Sequence, residues 1–407
     1  MGNRSTSFGL CAFLFGMEPL VSDEGYVFSP YRESRFWPWL LGLWVPHHLK
    51  KTWGIEKVRF VGTERLQASI AAGHGIMLTP NHCRPCDPLM LAELRRQMGV
   101  APTIMASAHL FRSRVMGWLL PRVGAFSMNR EGMDRESLKM AVSILTEAKR
   151  PLVIFPEGVI TRTNDRVIHL QEGISFLART AAKARAAQGG QLVIHPLAMR
   201  YEFLGDVEKS VTPVVERLEK RFGWKTVKQP LLDRVARLGY GLLGLKEVEY
   251  FGVVQEGSLD ERLGRFMDRV LCPMEQEYAT VAGEESVVMR VKNLRKAILP
   301  RLMSGELDEV GRERCWKQLF DLEVAQQAYH FPPDYIRENP TAERIIETVE
   351  RYEEALGQKE PTAHRPMRLT VSVGEAIVVE GKRERGAADP LMGQVRDQLR
   401  AMLAHRE

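Results

Sequence analysis

The chain has 407 residues, 44% hydrophobic and 27% charged, a balance that excludes a disordered protein and leaves room for one large domain or two ordinary ones. The net charge of +6 and pI near 9.0 point to an acidic partner, and phospholipid headgroups, coenzyme A or an acidic carrier protein all fit. Nucleic acid is set aside, because no basic–aromatic alternation or nucleic-acid module supports it.

Read in chain order, Met1-Gly2-Asn3-Arg4-Ser5-Thr6 fits a myristoylation pattern, with Cys11 placed for a second acyl chain. The apolar run 8–14 is too short to span a bilayer and has no convincing cleavage site after it, so it is read as retained. No segment reaches the roughly eighteen uninterrupted apolar residues of a spanning helix. Residues 35–55 hold Trp37, Trp39, Trp44 and Trp53 beside His47, His48, Lys50 and Lys51. Half-apolar rings next to cations suit a lipid interface, so 1–56 is expected to be a membrane-interfacial segment.

From Val58 the pattern alternates. Strand-like runs at 58–61, 75–79, 103–105, 152–155 and 192–199 are separated by helix-like stretches at 88–98, 113–120, 135–148 and 174–187. This rhythm predicts an α/β fold, a mainly parallel sheet flanked by helices, with its site at strand ends. Asn81-His82-Cys83-Arg84-Pro85-Cys86-Asp87 follows the second run. If the strand ends near Asn81 and a helix begins at Asp87-Pro88, one tight loop turns His82 and Asp87 into a single site. The imidazole could then take a proton from a hydroxyl while the carboxylate fixes its tautomer.

Cys83 and Cys86 form a C-x-x-C, but no second pair stands at zinc-ligand spacing, and two small residues packing a tight loop are the preferred reading. No metal site is expected. Five scattered cysteines, an odd number, argue for a reducing compartment without a disulfide framework. Beyond Tyr201 the chain turns charged and helical in period, with a capping box at Ser258–Glu261 and a helix expected over 341–356. Residues 367–379 alternate as a strand should, and 389–403 read as a final helix. The expected organisation is therefore a core at 57–205, an α-helical insertion at 206–365, and a closing strand and helix at 366–407. No internal repeat stands out.

Three further blocks follow the His-x4-Asp loop: Gly124-Ala125-Phe126-Ser127-Met128-Asn129-Arg130, then Phe155-Pro156-Glu157-Gly158-Val159-Ile160-Thr161-Arg162, then Ile194-His195-Pro196-Leu197-Ala198. In this order and spacing the chain resembles the glycerolipid acyltransferases, the 1-acyl-glycerol-3-phosphate acyltransferase family, from about Val58 to Tyr201. The resemblance implies transfer of a fatty acyl group from acyl-CoA or acyl-carrier protein to a lysophospholipid, most simply 1-acyl-glycerol-3-phosphate to phosphatidate, with no cofactor beyond the acyl donor. It implies His82 as general base and Asp87 as its partner. Arg130 and Arg162 are expected on the acceptor's phosphate, with Glu157, Gly158 and Thr161 on the substrate and His195 structural. The third block departs from the family's usual Thr-Arg-Ser after the glycine, since Val159 and Ile160 intervene. Implied partners are a phospholipid membrane surface, the lysophospholipid and an acyl-carrier protein; the implied location is cytoplasmic, peripherally or monotopically on a membrane. The competing readings are acylation of glycerol-3-phosphate or another lysolipid, a covalent route through Cys83 or Cys86, and a non-catalytic lipid-binding protein.

Overall fold

A computed structural model describes residues 26–129, 134–225, 228–280, 286–329, 335–358, 361–382 and 389–404. The myristoylation pattern, Cys11, the run 8–14 and Arg130 lie outside the described residues. In chain order the elements are α1 (Phe36–Trp53), β1 (Ile55–Val61), α2 (Thr63–Ala71), β2 (Gly75–Pro80), α3 (Met90–Met98), β3 (Thr103–Ser107), α4 (Arg114–Arg122), β4 (Ala125–Met128), α5 (Arg135–Glu147), β5 (Leu152–Val153), α6 (Gly173–Ala186) and β6 (Leu192–Phe203). There follow α7 (Val207–Arg221), α8 (Leu231–Phe251), α9 (Leu259–Glu277), α10 (Val287–Met303), α11 (Glu309–Tyr329), α12 (Tyr335–Glu338) and α13 (Ala342–Ala355), then β7 (Met367–Val373), β8 (Ile377–Val378) and α14 (Pro390–Ala404). Asp23–Asp206 and Ala363–Glu407 form one compact unit, and Val207–Thr362 lies in another.

The first unit is built on an eight-stranded sheet in the order β1-β7-β6-β2-β5-β3-β4, with β8 also beside β6. All pairings are parallel except those of β6 with β7 and β8. Strand β2 shows why Ile76-Met77-Leu78 is a continuous apolar run rather than an alternation. Met77 packs on one face with Leu145, Leu177 and Val395, while Ile76 and Leu78 pack on the other with Leu66, Leu91 and Leu94. Both faces of the central strands are covered, as a parallel sheet requires.

Four local outcomes differ from the expectation. The strand expected at 152–155 stops at Val153, since the chain then turns through Phe155-Pro156-Glu157-Gly158, with Gly158 N–H on the Phe155 carbonyl at 3.2 Å. The strand expected over 367–379 breaks into β7 and β8, because Gly374 directs its backbone groups to Pro196 and His195 instead of a ladder. Four-residue β4 and helix α2 carry too little periodicity to be predicted. Residues 36–53 form α1, which packs on α3 and β1 through Pro38, Gly42, Val45 and Leu49. Its opposite face is apolar too: Phe36, Trp39, Leu43 and Trp44 are exposed.

The second unit is helical. Ser258 and Glu261 complete both halves of the expected capping box, and Thr341 caps α13 through its hydroxyl. A core of Leu263, Phe266, Val270, Leu294, Ile298 and Leu322 joins α9, α10 and α11. One contact recurs in three successive helix pairs. Glu219, Glu247 and Glu275 each accept the side-on Nε/Nη2 fork of an arginine fifteen residues further on, Arg234, Arg262 and Arg290, at 2.7–3.1 Å. This repeat was invisible as sequence similarity because only two residues per hairpin carry it.

Candidate active site

The site follows from strand register. Strands β2 and β5 are parallel neighbours, Met77 opposite Leu152, so the loops after them leave the sheet at the same edge. Strand β6 pairs with β2 only as far as Leu197 opposite Pro80, then overshoots it by half its length. Met199 and Tyr201 therefore flank the loop that follows β2. Asn81 pins that loop: its side chain donates to the Met199 carbonyl at 3.0 Å and accepts from the Met199 N–H at 2.7 Å.

From that anchor the loop curls back, and His82 Nδ1 lies 2.9 Å from Asp87 Oδ2. The same Oδ2 accepts the Arg84 N–H at 2.9 Å, and Oδ1 accepts the Tyr201 hydroxyl at 2.5 Å. A fully buried carboxylate thus has three donors, which is what keeps such a group tolerable away from water. Because the carboxylate only accepts, Nδ1 carries the proton and Nε2 keeps its lone pair. The imidazole packs on Phe155 at 4.2 Å between centroids, and its side chain is 11% exposed, enough to be reached from outside.

The third block closes on the same residue. Glu157 Oε1 accepts the His82 N–H at 2.8 Å, and the His82 carbonyl accepts both the N–H and the hydroxyl of Thr161, at 2.8 and 3.1 Å. Burial pushes the Glu157 carboxyl up to about 8, against the lowering effect of the His82 N–H. At neutral pH it is mostly protonated and serves as an acceptor through its carbonyl oxygen. Gly158 has φ +72, a left-handed backbone that favours glycine, and a Cβ there would have to displace the Gln171 side-chain amide. Arg162 also takes a left-handed backbone, φ 53, and is 6% exposed. Asn164, in the same loop, clamps the backbone of Tyr201 by two bonds of 2.6 Å.

Of the residues expected at the site, His82, Asp87, Glu157 and Thr161 share one hydrogen-bonded assembly, Gly158 makes its turn, and Arg162 is buried in the adjoining loop. Tyr201, Asn81, Asn164 and Phe155 were missed as site residues. Tyr201 carries no local signal, since its role depends on the overshoot of β6. Burial raises its phenol well above the ordinary value, followed by the charge of Asp87, so it remains a donor. His195 sits in the interior, with Nδ1 donating to the Gly374 carbonyl and Nε2 accepting from Ser69, both at 2.9 Å. Cys83 and Cys86 are buried, and burial foremost pushes the Cys86 thiol up to about 12, a poor setting for a nucleophile. Among the described residues, no three His, Cys, Asp or Glu side chains are grouped to hold a metal.

Residues 57–200 match the family model described as Acyltransferase. Among curated proteins the chain is similar to a 1-acyl-sn-glycerol-3-phosphate acyltransferase of Streptococcus pneumoniae, 35% identical over 77 residues. That alignment covers 19% of this chain and 27% of the relative, so the chain spans about a quarter of the length of the protein it matches.

Proposed function

The chain carries an acyltransferase domain of the glycerolipid acyltransferase family over residues 57–200, and on that premise we propose that it moves a fatty acyl group from a thioester, acyl-CoA or acyl-carrier protein, to the free hydroxyl of 1-acyl-glycerol-3-phosphate. The observation that carries the reading is the His82–Asp87 pair at 2.9 Å, set at a strand end with Nε2 as the lone-pair nitrogen. Nε2 takes the proton of the acceptor hydroxyl as that oxygen attacks the thioester carbonyl. The tetrahedral centre then collapses, the C–S bond breaks, and the imidazolium returns its proton to the departing thiolate. Asp87 stabilises the cation between the two steps. The thioester is already activated, so the buried cysteines have no part in it.

Arg130 and Arg162 are the proposed grips on the acceptor's phosphate. Guanidinium forks match phosphate oxygens in pairs. Glu157 and Thr161 hold the His82 backbone and thereby the direction of the ring, and Gly158 makes the turn between them. The lipid is met at a membrane surface. No helix among the described residues is long and apolar enough to cross a membrane, but α1 exposes Phe36, Trp39, Leu43 and Trp44, and α4 exposes Val115 and Trp118. Trp37 and Trp118 are in edge contact at 4.9 Å, which joins the two helices into one apolar surface bordered by Arg122, stacked on Trp118 at 4.1 Å.

The test is oleoyl transfer from oleoyl-CoA to lysophosphatidate by the wild type and by a folded His82→Ala variant, with glycerol-3-phosphate as the second acceptor. Transfer to lysophosphatidate that collapses in the variant supports the reading. Equal activity in both refutes the base, and preference for glycerol-3-phosphate replaces the acceptor. Replacing Trp39, Leu43 and Trp44 with Ser should release the protein from anionic liposomes; unchanged binding by the folded variant would remove the membrane surface from the proposal.

A further inference from the structure

The helical unit contains a cavity of about 170 Å³ lined wholly by residues between Ala236 and Ala355. The space is open to solvent on one side and apolar on the other, the form of most small-molecule sites. Its walls are apolar: Leu242, Leu243, Leu263, Phe266, Val324 and Ile336. Phe266 and Tyr335 are buried in its wall, whereas Arg337 is exposed. The charges of the lining are of one sign. Lys246 (which also pairs with Glu249 at 2.8 Å), Arg337 and Arg351 contribute cations, and no carboxylate is in the lining itself. Arg337 Nη2 donates to the Tyr240 hydroxyl at 3.3 Å, which leaves the phenolic proton for an anionic oxygen.

We propose that this cavity is a binding site for a short-chain anionic amphiphile, its tail in the apolar walls and its carboxylate or phosphate head among Tyr240, Lys246 and Arg337. The volume sets the chain. A cavity of ~150 Å³ accepts benzene, so about six to eight carbons fit beneath the head. The site is built entirely from the helical unit and uses no residue of the His82 assembly, so it stands whether or not the acyl-transfer reading does.

Isothermal titration of the full chain with octanoate, octyl phosphate and octanol tests it. Octanoate or octyl phosphate is expected to bind once, saturably, and about tenfold more tightly than octanol, the worth of one charge-assisted hydrogen bond. The tighter of the two anions identifies the head. Ala236→Trp fills the cavity and should abolish binding, Arg337→Glu at an exposed position should weaken it at least about tenfold without touching the core, and His82→Ala should leave it unchanged. No binding by the wild type, equal affinity for octanol, full binding by folded Ala236→Trp and Arg337→Glu variants, or loss in His82→Ala would each overturn the proposal.

Discussion

Both units bury carboxylates, and the three latches of the helical unit treat theirs differently from the His82 site of the sheet unit. In the helical unit each deeply buried glutamate of the three latches has an arginine fork on it. Burial pushes Glu247 up, but the Arg262 fork and the Gln255 N–H outweigh it and hold the carboxyl below its ordinary value. In the sheet unit Asp87 is held by a phenol, a backbone N–H and an imidazole, and Glu157 by backbone N–H alone. A carboxylate matched by a guanidinium is spent on structure, because its charge is cancelled and its geometry locked. The Asp87 carboxylate, held by neutral dipoles, keeps its field for the His82 ring, whereas burial keeps Glu157 protonated, so it acts on the His82 backbone as an uncharged acceptor.

That contrast can be broken most severely at His82. His82→Ala should lower acyl transfer by about 10²–10⁴-fold while the thermal melting of the chain stays near that of the wild type; a loss of folding in step with activity would make His82 a structural residue like His195. Next in size is the latch. Glu247→Gln leaves the buried Arg262 charge uncompensated and should cost about 3–5 kcal/mol in urea unfolding, and the double replacement Glu247→Leu, Arg262→Met should recover most of it. A cost below about 1 kcal/mol would put the latch with exposed ion pairs.

Glu157 tests the other half of the contrast through pH. Its carboxyl stays protonated in the folded chain up to about 8, whereas the ordinary value is 4.5. Between those values the folded state holds a proton that the unfolded state releases, so stability falls as pH rises through this window and levels off above it. Glu157→Gln should flatten that fall, with a gain over wild type that grows through the window to a plateau above about pH 8, of the order of a few kcal/mol. Parallel curves for the two proteins would show that burial does not hold the proton there. The smallest effect is expected of Tyr201→Phe, which removes one of three donors to Asp87. It should cost about 1–2 kcal/mol in stability and about tenfold in transfer rate, and unchanged rates would confine Tyr201 to packing.

Much of the sheet unit was legible because its signals are local. Largely apolar runs at 75–79 and 192–199 mark strands covered on both faces, Asp87-Pro88 marks a turn into helix, and Gly158 marks a left-handed turn that favours glycine. The latches of the helical unit were not legible, because glutamates and arginines are frequent on any helical surface and only burial distinguishes these six. The apolar outer face of α1 was half legible: its tryptophans stand out by composition, but which face of the helix packs inward depends on α3 and β1, against which it lies.

The sequence by itself determined the α/β rhythm, the place of the His-x4-Asp loop at a strand end, and the resemblance that the matched family model supports. Each of these rests on neighbours within a few residues, where sterics and hydrogen bonding act without knowledge of the rest of the chain. Tertiary structure alone decided that β6 overshoots β2, so that Tyr201 reaches Asp87 and Asn81 ties the loop to Met199. It alone decided that Glu157 is buried deeply enough to keep its proton. The physical reason is that register and burial arise when segments more than a hundred residues apart pack together, and desolvation belongs to that packing, not to any stretch of sequence.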